Sequence, residues 1–394
     1  MALPAAWKVR RELRRTIDKL VHATARITYE PLRKSAYDFA SPLLQRATNG
    51  AIPLTDRVAI FVVFQPKGLA PSILLTLDHL RQNGFSVIVV SNGRLRPADR
   101  ELVCRHAALV LERPNVGYDF GAYRDGIRYL WALRHDMSRL VLMNDSTWFP
   151  LRREDDSLAR MEALEVDLAG HIYRIEDAKA RCRDHVESHL LMISHGFLKS
   201  EEFRRFWSGY RMSDFRATTI EAGEKGFSQM ALLEGRTVAT LMSREWLVAT
   251  LQGLDDPALR SVLDQTIDRF HGRQRNADDI RRAAARGEPW REQFLAWIDT
   301  ALSNSRTFMI SATFVMPALV YGGMGFAKKA NDIRFHLARQ MVLELADSGA
   351  IPPLDPVIRA EIVQAVRTWV PPRGQELTAP VETAAQMGQV AKTR

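Results

Sequence analysis

Apolar and polar positions alternate in blocks along the first part of the chain. Arg57 to Phe64 (RVAIFVVF) is a short β-branched run with no polar face, the pattern of a strand buried on both sides. Leu69 to Asn83 has helical spacing and stops at Gly84, a natural position for a left-handed cap. Phe85 to Ser91 predicts a second buried strand, Pro97 to His106 a helix with proline in its first turn, and Ala108 to Glu112 a third strand. Asp119 to His135 predicts a helix and Arg139 to Asn144 a fourth strand. Strands alternating with helices imply an α/β fold with a mostly parallel sheet and helices on both faces. Beyond Trp148 the alternation loosens. Val166–Ile172 and His189–Ser194 predict strands, Glu201–Tyr210 a helix, and Asp256–Ala301 a charged helical region.

The flanks differ in composition. Residues 1–50 predict a helical extension ending at the Asn49-Gly50 turn signal, residues 51–340 the main domain, residues 341–373 C-terminal helices, and 374–394 a polar disordered tail. Net charge is +9, and residues 1–34 carry nine Lys/Arg against three acids. Leu13, Ile17, Leu20 and Val21 recur there at helical spacing among arginines. Such a helix can lie on an anionic membrane surface, or simply pack on the domain with a solvated face. It has no interleaved aromatics, so no nucleic-acid partner is expected. No apolar run is long enough to span a bilayer; the most apolar, Met309–Tyr321, contains Pro317. No secretory signal pattern and no disulfide framework (Cys104 and Cys182 only) point to a cytoplasmic location, with possible peripheral attachment to the inner face of the membrane.

In open parallel sheets, ligands bind outside the carboxyl ends of the strands. Three polar clusters follow those ends: Ser91-Asn92-Gly93, Arg113 to Ala122, and Asn144-Asp145-Ser146. An acid such as Asp145 at a buried strand end is either a turn or cap residue or a ligand for a divalent ion that bridges a diphosphate. Gly117 and Gly121 permit close backbone approach, and Asp119 either caps the next helix or binds a sugar hydroxyl. Cys182-x-x-His185-x-x-x-His189 has metal-compatible spacing but no fourth ligand. No dinucleotide fingerprint, phosphate-binding Lys loop, nucleophile elbow or zinc-protease motif occurs.

The block from Arg113 to Gly126 (RPNVGYDFGAYRDG), followed by Leu142-Met143-Asn144-Asp145-Ser146, closely resembles the rhamnan synthesis F family of glycosyltransferases. Weaker resemblance continues through Glu187–Met192 (Glu187 where that family has Gln), Phe203–Trp207, Glu224–Ser228 and Gly325–Lys328 (Gly325 where it has Pro), about residues 57–340 in all. The resemblance implies a GT-A-like, Rossmann-type domain that transfers a sugar, rhamnose or another deoxyhexose, from a nucleotide-sugar donor to a growing polysaccharide or lipid-linked glycan. Asp145 would then stand at the metal position, with Mg²⁺ or Mn²⁺ as cofactor, although only one acid is present where such enzymes keep two. Asn92, Asn115, Gly117, Asp119, Gly121 and Asn144 would line the donor pocket, and Lys328 would contact the diphosphate or stay at the surface. A general base is expected from the later half: Glu224 first, Glu221 second, either of which also suits the solvated first turn of a helix. A non-catalytic glycan- or nucleotide-binding module on the same fold is the alternative, and a methyltransferase on a similar sheet a third.

Overall fold

The computed structural model describes residue 24 and residues 28–175, 184–213, 215–268, 276–303 and 308–372 of the 394-residue chain. The four apolar runs are strands β2 (Arg57–Val63), β3 (Ser86–Asn92), β4 (Leu109–Arg113) and β5 (Arg139–Asn144). They pair in parallel in the order β4-β3-β2-β5. Both faces are covered, which is why these strands lack a polar side. Ala59, Phe61, Val63, Val87 and Val89 pack under the helices Pro71–Gln82 and Pro97–His106. Val58, Ile60, Val62, Ile88 and Val90 pack under Tyr123 and Ile127 of helix Tyr118–Ala132.

Four further strands extend the sheet beyond β5 or at its other edge: β1 (Arg46–Asn49), β7 (Leu168–Arg174), β9 (Leu190–Ser194) and β10 (Val238–Met242), in the overall order β1-β4-β3-β2-β5-β9-β7-β10. The ninth strand of the sheet, β8 (His185–Val186), pairs with β7. A separate two-stranded ribbon joins β6 (Thr147–Trp148) to β11 (Ala327–Lys328). Chain order reverses across the β2/β5 pair, so the crevice expected for a ligand lies outside the carboxyl ends of these two strands.

The N-terminal boundary departs from expectation. Residues 46–49 are not helical: they form β1, antiparallel to β4. Arg-Ala-Thr-Asn carries no apolar alternation, and the pairing comes from backbone hydrogen bonds to the open edge of β4, which sequence periodicity does not report. The preceding helix, Tyr29–Leu44, is held by its inner face. Tyr37 Oη donates to Asp125 at 2.6 Å, and Arg124 donates twice to Asp38 at 2.7 Å. The basic repeat between Leu13 and Val21 and the tail beyond residue 372 lie outside the described residues.

Helices Asp256–Asp264, Asn276–Ala285 and Arg291–Leu302 occupy the charged region. The apolar stretch after Met309 is not a membrane segment; Ile310, Phe314, Val315 and Ala318 are core residues. No helix among the described residues is long and apolar enough to cross a membrane. Helix Pro356–Arg367 returns to the sheet, where Glu361 accepts hydrogen bonds from Ser72 N, Ser72 Oγ and Trp148 Nε1.

Candidate active site

Asn144, the last residue of β5, and Asp119, in the first turn of the helix that follows β4, meet at the carboxyl-end rim. Asn144 Nδ2 donates to Asp119 Oδ2 at 2.9 Å, while Asn144 Oδ1 accepts from the Ser146 amide and hydroxyl and closes the turn. Both residues line a cavity of about 460 Å³. Its acids are Asp119, Glu187 and Glu224, and its cations are Arg174, Arg216, Lys328 and Arg334.

The Asp119 carboxyl is pushed up to about 7 by burial, reinforced by Asp145 and Glu224 and opposed by Arg216. A carboxyl in that state is a strong attractor for a cation or a hydroxyl donor. Asp145 sits at the reversal point itself. Its Oδ2 accepts from Phe64 N at 2.9 Å and Gln65 Nε2 at 2.7 Å, joining the ends of β2 and β5. Burial raises its pKa despite those bonds and the nearby Lys329.

Glu224 lies in a π-helical turn, Ile220–Lys225, a geometry frequent at functional sites. Its Oε1 accepts from Ser188 N at 2.8 Å and lies 4.0 Å from His185 Nε2. Glu221, on the same turn, is half exposed and pairs with Lys225 at 3.0 Å, away from the cavity lining.

Lys328 is not a surface lysine. The β6–β11 ribbon carries it to the cavity wall, where Nζ lies 2.9 Å from Glu187 Oε2 and 3.1 Å from His189 Nδ1. Burial alone would raise the Glu187 carboxyl, but Lys328 and Arg174 outweigh it and hold it below the usual range. His189 and His171 are kept neutral by burial and by the Lys328 charge, His171 down to about 3. With His189 Nδ1 facing the ammonium, its Nε2–H is left to donate to His171 Nδ1 at 3.0 Å. The cation is thus seated against one acid and the neutral His189 ring, with the Phe326 ring 5.7 Å away. The two departures from the family pattern fall in this neighbourhood. Glu187 supplies the counter-charge, and a Cβ at Gly325 would fall 1.8 Å from Asp155 Oδ2, leaving no room for proline.

The other predicted donor residues stand behind the wall or outside it. Asn92 Oδ1 accepts from Arg113 and its Nδ2 donates to Tyr118 O. Gly117 has φ +76°, and a Cβ there would meet Met212 Cβ at 2.6 Å; a Cβ at Gly121 would meet Val116 O at 2.2 Å. These three shape the loop and do not line the cavity. Asn115 is exposed and also outside the lining. Residues that sequence reasoning left without a role do line it: Tyr118, Arg174, Arg216 and Arg334; so does His185, weighed there only as part of a metal spacing. Tyr118 is 37% exposed with φ +52°, a left-handed conformation that costs a bulky residue about 1–2 kcal/mol and persists where the surroundings impose it.

As to a divalent cation, no group of three His, Cys, Asp or Glu among the described residues converges to hold one unaided. Cys182 of the Cys-His-His motif lies outside those residues, and His189 is engaged with Lys328 and His171. Mg²⁺ nevertheless commonly takes one or two carboxylates plus substrate phosphates. Asp119, in the cavity lining, and Asp145, outside that lining with Oδ2 taken by Phe64 N and Gln65, are both raised chiefly by burial and would be the carboxylates of such a smaller donor set.

The chain is 27% identical over 333 residues to the uncharacterized protein y4gN of Sinorhizobium fredii, covering 84% of this chain and 85% of that one. A shorter stretch of 75 residues is 36% identical to the virulence protein VirA of Vibrio anguillarum, covering 18% of this chain and 24% of that protein. Residues 87–243 match the family model described as rhamnan synthesis protein F, a stretch that covers the two specific motif blocks and Glu224 but not Gly325–Lys328.

Proposed function

We propose that the chain is a glycosyltransferase with a GT-A-like core, moving a sugar from a nucleotide-sugar donor onto a growing polysaccharide or lipid-linked glycan. The observation that carries this reading is one rim cavity lined both by cations (Arg174, Arg216, Lys328, Arg334) and by the acids Asp119 and Glu224. A diphosphate leaving group needs the first and an acceptor hydroxyl needs the second. The family description favours rhamnose or another deoxyhexose as the sugar.

In this reading the four cations hold the donor diphosphate and take up the charge that develops as the anomeric C–O bond breaks. Tyr118, strained and exposed at the lip, offers a face for the base or the sugar. Asp119 and Asn144 bind hydroxyls of the donor. Glu224 accepts the proton of the acceptor hydroxyl while that oxygen forms the new bond to the anomeric carbon; Ser188 N–H fixes the carboxylate's orientation. A Mg²⁺ or Mn²⁺ ion held by Asp119 and Asp145 would supply further charge neutralisation at the diphosphate.

The test is titration of purified protein with nucleoside diphosphates and nucleotide sugars, with and without Mn²⁺, beside Asp145→Ala, followed by an assay for released nucleoside diphosphate. Metal-dependent affinity for one nucleotide class, lost in the variant, with diphosphate release on adding acceptor, supports transfer. Glycan binding indifferent to donor and metal would instead establish the non-catalytic binding module.

A further inference from the structure

Helix Tyr29–Leu44 has two unlike faces. The inner one is pinned: Tyr37 is buried, Asp38 is taken by Lys34, Arg124 and Arg128, and Glu30 is only 2% exposed. The outer one is apolar. Leu32, Ala36, Phe39, Pro42 and Leu43 follow one another at spacings of three, four or one, one stripe of a helix, and all are exposed. Leu32 is 73%, Phe39 88% and Leu43 86% accessible. Three large apolar side chains aligned outward on a rigidly anchored helix are unusual on a surface that meets only water.

Charge decides what covers them. Both acids of this helix point inward, so its outer face presents none. Arg46, 55% exposed in its side chain, follows the stripe directly, and Arg94 reaches its end by donating to Leu44 O. The chain enters the helix from a segment in which nine Lys/Arg outnumber three acids over residues 1–34. An apolar stripe inside a basic surround matches the boundary of an anionic bilayer, acyl region against the stripe and headgroups against the arginines.

We infer that the outer face of helix Tyr29–Leu44 is a docking surface for anionic lipid, independent of the transfer reaction. The helix does not travel alone. Tyr37 and Gln45 bind Asp125, Asp125 binds Arg113, Arg113 binds Asn92, and Asn92 binds the carbonyl of Tyr118 at the cavity lip. A surface held by this helix therefore stands at a fixed offset from the cavity.

The experiment is flotation of the full chain with vesicles of phosphatidylcholine alone or with about one-third phosphatidylglycerol, beside the double variant Phe39→Ser/Leu43→Ser and light-scattering mass measurement of both proteins. Because both side chains lie in solvent, thermal unfolding of the variant should match the parent. The wild type should float with the anionic vesicles, less so in high salt, and the double variant should partition at least about tenfold less. Independently, Phe39→Trp should show emission quenched by brominated anionic lipid beyond the wild-type level. Failure of the wild type to float, equal partitioning of the double variant, or no added quenching in Phe39→Trp overturns the proposal. So does a wild-type dimer that the double variant converts to monomer without any lipid binding, since the stripe would then meet a second copy.

Discussion

Replacing Asp119 with asparagine should make the protein more stable at neutral and alkaline pH while disabling its site. The amide keeps an oxygen for Asn144 Nδ2 and removes the charge. In the folded chain the carboxyl is raised from 3.8 to about 7. Between those values the unfolded chain has released its proton and the folded chain has kept it, so the wild type loses stability as pH rises through that window and stays at the lower level above it. At about 1.4 kcal/mol per pH unit the ceiling is about 4 kcal/mol, and partial solvent access at the cavity brings it to about 1–3 kcal/mol. Paired urea unfolding of wild type and Asp119→Asn from pH 4 to 8 reads the difference directly. It should be small at pH 4, grow until about pH 7 and then level off in favour of the variant. A difference that does not change with pH, or a variant that is weaker at pH 8, refutes the argument. The same titration is visible on binding: a cation brought beside Asp119 at pH 7 should expel about half a proton, measurable as a buffer-dependent binding enthalpy.

Glu224→Gln keeps an acceptor for Ser188 N–H, so donor affinity should hold within a few fold while turnover falls by about 10²–10⁴, read by single-turnover kinetics. Asp125→Asn leaves the buried Arg113 guanidinium without its counter-charge and should cost about 3–5 kcal/mol in unfolding free energy, with much of the loss recovered by Arg113→Met/Asp125→Leu. Gly117→Ala adds a Cβ 2.6 Å from Met212 Cβ at a left-handed φ and should lower stability by about 2–4 kcal/mol, with weaker nucleotide binding through the displaced Tyr118.

How much of this was legible in the sequence follows from what kind of interaction makes each part. The strands β2 to β5 bury both faces, so their residues are apolar without interruption and their bounds read within a residue or two. Strand β1 is held chiefly by main-chain bonds, and nothing in Arg46-Ala47-Thr48-Asn49 reports them. At the site, Asn144 and Asp119 stand in the cavity because a strand end and a helix start place them there by topology, and Glu224 because the π-helical turn Ile220–Lys225 does. Gly117 and Gly121 belong to the motif and Asn92 to the neighbouring end of β3, yet none of the three lines the cavity; they pack the loop around the buried Arg113–Asp125 ion pair and its surroundings. Arg174, Arg216 and Arg334 come from segments with no shared local pattern, and only the folded chain brings them to one cavity. Glu187 in place of Gln was a usable signal, since an acid in a strand-end position asks for a cation, and Lys328 is that cation.

The β6–β11 ribbon has a consequence for the order in which the molecule can be completed. It joins Thr147–Trp148 to Ala327–Lys328, and Glu361 on a still later helix bonds Trp148. A chain emerging from the ribosome has all four central parallel strands by residue 144, yet two of the four cations lining its cavity await residues 328 and 334. Until then Glu187 lacks the ammonium that lies 2.9 Å from it in the finished fold. Completion of the cavity's cationic lining thus comes among the last events of folding, and a chain stopped before residue 328 would retain the sheet's hydrophobic reason to fold while lacking Lys328 and Arg334 at the cavity.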